Sequence, residues 1–143
     1  MVETFGRNSR VTFPFRRVEQ LRTRPPSERR LDGRVTSVHQ IFPNTIIARL
    51  SHHPTMVVLE PVAPDRTDVM TYQLANGTGQ RIEDARRDTD FVTAGAIEDL
   101  AMAAAVQQGL AAGANDVVEL GLFEGALSHF HRSLDAVLAE ATA

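Results

Sequence analysis

Asp99 stands in the run AGAIEDLAMAAAVQQGL, a carboxylate among small and apolar residues that favour helix. At helical spacing Gly95, Met102, Ala103 and Val106 share its face. A carboxylate on an apolar face must be paired, protonated or bound to metal, because burying it alone costs several kcal/mol. The plainer alternative is an Asp99 that points outward or pairs with an arginine. Glu98, one position back, projects about 100° away and reads as the solvent-facing member. The five histidines carry the other chemistry. His129 and His131 lie two apart in a helical pattern and face roughly opposite sides, so they do not chelate one ion as an i,i+4 pair can. One is expected to be packed and the other solvated. His52 and His53 are expected in a surface turn. His39 alternates with Ile41 and reads either as a general base directed into a cavity or as a satisfied core histidine.

What is missing narrows the chemistry further. The chain has no cysteine and no lysine; all 15 basic residues are arginine. That excludes a disulfide scaffold, a Cys-ligated cluster, a thiol nucleophile, Schiff-base chemistry and a Walker-type lysine. No glycine-rich phosphate loop, G-x-S-x-G elbow or H-E-x-x-H motif is present. Net charge is −3, which gives a nucleic-acid role no global support, but the charge is uneven. Residues 1–34 hold nine arginines and four acids, and the remainder six arginines and fourteen acids. A phosphate-binding arm and a solvated arginine face are the two readings of that basic segment. No stretch approaches the roughly 20 apolar residues of a membrane span. The N-terminal run MVETFGRNSR has no apolar signal region, so a cytoplasmic location is expected.

The elements that must position these residues fall into three zones within 143 residues. The first, 1–33, is arginine-rich and weakly periodic, with a possible strand at 11–15, an amphipathic stretch at 18–21 and breaks at Pro25-Pro26 and Asp32-Gly33. The second, 34–79, reads as antiparallel strands at 35–42, 45–50, 56–62 and 67–74, joined by short turns and closed by a loop at 76–79. The third, 80–143, reads as helix: a short polar one at 82–88, a long one at 93–112 with Gly113 at its C-cap, and an amphipathic one at 124–139. Its apolar positions are Leu127, Phe130, Leu134, Val137 and Leu138. Strands followed by helices indicate an α+β fold.

Four blocks, in order, carry a resemblance. HQIFPNTIIARL (39–50) places an aromatic-Pro-Asn segment before a strand, and LEPVAPDRTDVMTYQL (59–74) places P-x-x-x-D-R-T-like turn chemistry before another. IEDLAMAAAVQQGL is an acidic-pair-plus-glutamine helix, and LGLFEGALSHFHRSL ends in G-x-x-E…H-F-H-R. Together they resemble the C-terminal catalytic domain of Rieske non-haem iron ring-hydroxylating oxygenase α subunits, over about residues 36–134. The resemblance implies a helix-grip (Bet v 1-like) arrangement, an antiparallel sheet packed on a long C-terminal helix. This chain would be an incomplete version, with a sheet edge left unpaired. It implies that Asp99 is the carboxylate ligand of a mononuclear Fe(II), which two histidines complete. It places His39, Phe42, Asn44, Met102 and Gln107 in the substrate pocket or just behind it.

The resemblance also implies parts this sequence does not contain. The family's [2Fe–2S] Rieske cluster needs C-x-H and C-x-x-H, and the H-x-x-x-x-H pair of iron ligands precedes a segment like the one at residues 5–10. None of the five histidines matches those ligands in spacing or order. The expectation is therefore a partial catalytic domain, inactive alone, whose partners are a missing Rieske half or split subunit and a ferredoxin or reductase electron donor. Homo-oligomerisation follows from the family. The whole enzyme would hydroxylate an aromatic or related apolar substrate. The alternative is a non-catalytic module of the same fold that binds a hydrophobic ligand.

Overall fold

The computed structural model of the chain describes residues 1–31, 33–49, 53–74, 82–113 and 117–142. Six antiparallel strands form one sheet in simple sequence order: β1 (Val2–Phe5), β2 (Asn8–Pro14), β3 (Val35–Ile41), β4 (Thr45–Arg49), β5 (Thr55–Ala63) and β6 (Arg66–Gln73). Two helices follow, α1 (Ile82–Ala111) and α2 (Gly125–Ala141). This is the expected α+β fold, an antiparallel meander followed by helices.

The sheet begins earlier than the sequence reading places it. The first two strands pair as a hairpin with Phe5 opposite Asn8, leaving Gly6 and Arg7 as a two-residue turn. Gly6 has φ +60° and Arg7 has no positive φ, the pattern of a type II′ turn, which requires glycine first. Glu3 and Arg10 sit opposite each other and form an ion pair at 2.7 Å, and the Arg10 guanidinium lies over the Phe5 ring. The arginine-rich stretch between β2 and β3 forms two 3-10 turns, Arg16–Leu21 and Pro26–Glu28, in which Leu21 is buried. The 18–21 stretch thus does bury an apolar residue, as its pattern implies.

The later strands lie close to their expected positions, and short turns such as Pro64-Asp65 between β5 and β6 explain why. The helical zone differs. The expected short helix and long helix are one continuous α1, because nothing between residues 88 and 93 is glycine or proline and no breaker interrupts the ladder. It ends as expected: Gly113 has φ +63°, and its N–H bonds the Leu110 carbonyl. The second helix packs on β1 and β2. Phe130 meets the Phe42 ring at 6.0 Å, Arg7 pairs with Glu140 at 3.3 Å, and Ser133 is buried with its hydroxyl donating to the His129 carbonyl. The turn at 76–79, His52 and the loop at 115–116 lie outside the described residues.

Candidate functional site

Strand alternation assigns each side chain to one of two sheet faces. Register carries one face across the sheet through Ser9, Gln40, Ile46, Val57 and Thr71, and the other through Arg10, His39, Ile47, Met56 and Tyr72. On the first face, residues of α1 and of β4, β5 and β6 together line an open cleft of about 560 Å³. The sheet supplies Ile46, Val57, Leu59, Val69, Thr71 and Gln73. The helix supplies Thr89, Val92, Thr93, Ala96, Asp99, Leu100 and Ala103. Branched aliphatic side chains dominate the sheet wall because strands favour them there. The small residues of the helix, Ala96 and Ala103, leave room for the cleft to exist.

Asp99 is the single ionisable side chain of this wall among the described residues. It is exposed, which removes the penalty that a fully buried, unpaired carboxylate carries. Its neighbours on the cleft are Ala96, Leu100 and Ala103. Of the residues expected to share its face, Ala103 does, while Met102 is 62% exposed and is not part of the cleft wall. Val106 lines a separate groove of about 500 Å³ with Leu110, Val117 and Val118.

The other expected site residues are dispersed. His39 occupies the outer face of the sheet, with Nε2 3.2 Å from the Ser37 hydroxyl, so it is directed away from the Asp99 cleft. Its alternation with Ile41 is real, but the covered face is the one that carries Gln40 and Val38. Phe42 packs on Phe130 under the Arg7 guanidinium, and its N–H bonds the Asn8 side chain. Asn44 sits in the β3–β4 turn, its carbonyl accepting the Leu59 N–H and its side chain the Thr45 hydroxyl. Gln107 is half-buried on α1, outside the cleft wall.

The histidine pair of α2 divides as expected: His131 is exposed and stacks edge-on to Phe130, whereas His129 is half-buried. His53 reverses its expectation. It is 1% exposed, as buried as any side chain in the chain's described residues, and it directly precedes Pro54 and the buried Thr55. Sequence reasoning also passed over Gln73. The signal available was its place on the same strand face as Thr71 and Val69, two apolar-facing positions.

No group of three or more His, Asp or Glu side chains able to hold a metal ion occurs among the described residues. A facial iron site needs two imidazoles and a carboxylate together. The cleft presents the carboxylate alone, so the described residues do not fit a complete iron centre. No helix among them is long and apolar enough to cross a membrane.

A family model described as ring hydroxylating alpha subunit (catalytic domain) matches residues 3–140. No curated protein matches the chain, and no solved structure does.

Proposed function

Since the chain belongs to the ring-hydroxylating α-subunit catalytic-domain family, we propose that the cleft between α1 and strands β4 to β6 is where it receives an aromatic or related apolar substrate. The observation that carries this reading is the cleft itself: a space of about 560 Å³ with mostly apolar walls and one water-accessible carboxylate, Asp99, on the helix that lines it. Val57, Leu59, Val69 and Leu100 would hold a ring by excluding water from it.

Among the described residues, Asp99 is then the one metal donor at the cleft. Ferrous iron, when held by the family's full ligand set, supplies oxygen activation beside the substrate. The two imidazoles must reach Asp99 from outside the described residues, along with the Rieske cluster and the donor that reduces it. By itself the chain is proposed to be inactive as an oxygenase. The expected outcome of anaerobic equilibrium dialysis against Fe(II) is weak, readily reversed binding that is weaker still in Asp99→Ala. Tight, stoichiometric iron in the parent would overturn the single-donor reading, and equal binding in the variant would remove Asp99 from it. A module that binds hydrophobic ligands without redox chemistry is the second reading, favoured by the scattering of the histidines away from Asp99.

A further inference from the structure

Gln73 closes β6 and lies directly opposite Thr55 at the start of β5. Both project from the helix-facing side of the sheet, and Gln73 forms part of the cleft wall. Thr55 is 2% exposed and donates its hydroxyl to Gln73 Oε1 at 3.0 Å. That bond takes one of the two acceptor positions of the carboxamide oxygen. The donor end, Nε2, is buried and has no hydrogen-bond partner among the described residues. A buried N–H donor left unpaired is costly, so a turn of the carboxamide that brings Nε2 against an acceptor in the cleft is favoured.

Two further features limit what that group is. The rest of the sheet wall beside Gln73 is Val57, Val69 and Thr71, which suits a ring but offers no second amide. Asp99 stands on the opposite wall, and its exposed carboxylate disfavours an anionic substituent brought beside it. We infer that Gln73 selects apolar aromatic substrates that carry a neutral hydrogen-bond acceptor, of the aryl ketone or aryl amide kind, through a bond from its Nε2. The inference rests on the cleft being the site for the ring and adds the substituent.

The test compares acetophenone with ethylbenzene, which share shape but differ in the carbonyl, by NMR titration of the whole chain. The parent is expected to bind acetophenone about tenfold more tightly than ethylbenzene, the effect of one hydrogen bond to an otherwise unpaired group. Gln73→Met is expected to abolish that preference by weakening acetophenone relative to ethylbenzene, and continued saturable binding of ethylbenzene shows that the variant keeps its cleft. Gln73→Glu, which offers acceptors only, is expected to invert the preference. Ethylbenzene binding with no preference in the parent, or a preference that survives Gln73→Met, would overturn the inference and leave the cleft reading intact. Failure of the parent to bind either compound would overturn both.

Discussion

An exposed carboxylate on an apolar wall and a buried hydroxyl behind that wall respond oppositely to mutation. Asp99→Ala removes a solvated group, so the melting temperature is expected to stay within about 2 °C of the parent. A larger drop would show that Asp99 supports the fold rather than the site. Thr55→Val leaves the half-buried Gln73 carboxamide without its hydroxyl partner and is expected to cost roughly 1–3 kcal/mol in urea unfolding. At this scale the sequence was informative about type and poor about surroundings. Asp99 stood out because an acidic pair in an alanine-rich helix is conspicuous. The outer-face position of His39 was not, since alternation defines two faces without saying which one a helix covers. His53 was hidden for a related reason: a His-His-Pro run looks like a surface turn, and only the packing of the chain around it makes it buried.

Elements were legible where a local signal acts alone. Gly113 ends α1 in the left-handed conformation that its position after an alanine-rich run requires. Gly113→Ala is expected to destabilise the chain by about 1 kcal/mol, read as a lower urea midpoint at unchanged slope. The β1–β2 hairpin was available in principle through Gly6-Arg7, but its strand of four residues gives too short an alternation to stand out. The merging of two expected helices into α1 shows the converse, that a polar stretch without glycine or proline does not end a helix. The second helix depends on tertiary contact, and Phe130 is its link to the sheet through Phe42. Phe130→Ala is expected to cost roughly 2 kcal/mol, while Glu140→Ala, which breaks an exposed ion pair with Arg7, costs under about 0.5 kcal/mol. Thermal melts of the two variants side by side check the difference.

The molecule as a whole carries more apolar surface than its size needs. Leu122 and Phe123 are 91% and 90% exposed in the segment between the helices, and Ile97, Leu100 and Met102 are exposed along α1. The sheet is open, with β1 and β6 as edges. Leu122→Ser combined with Phe123→Ser is therefore expected to raise the solubility limit without lowering the melting temperature. Family membership and the α+β meander were both readable from ordered motif blocks, because turn chemistry and strand patterns are local. The cleft was not readable, since it is lined jointly by α1 and by β4 to β6, a juxtaposition no spacing in the chain encodes. The most direct test of that cleft as the functional site is a methyl NMR titration of the chain with toluene. Saturable shifts are predicted at Ile46, Val57, Leu59, Val69 and Leu100, with none at Ile41, Ile47, Val58 or Met70 on the outer face. Shifts centred on the outer-face methyls, or none anywhere, would contradict it.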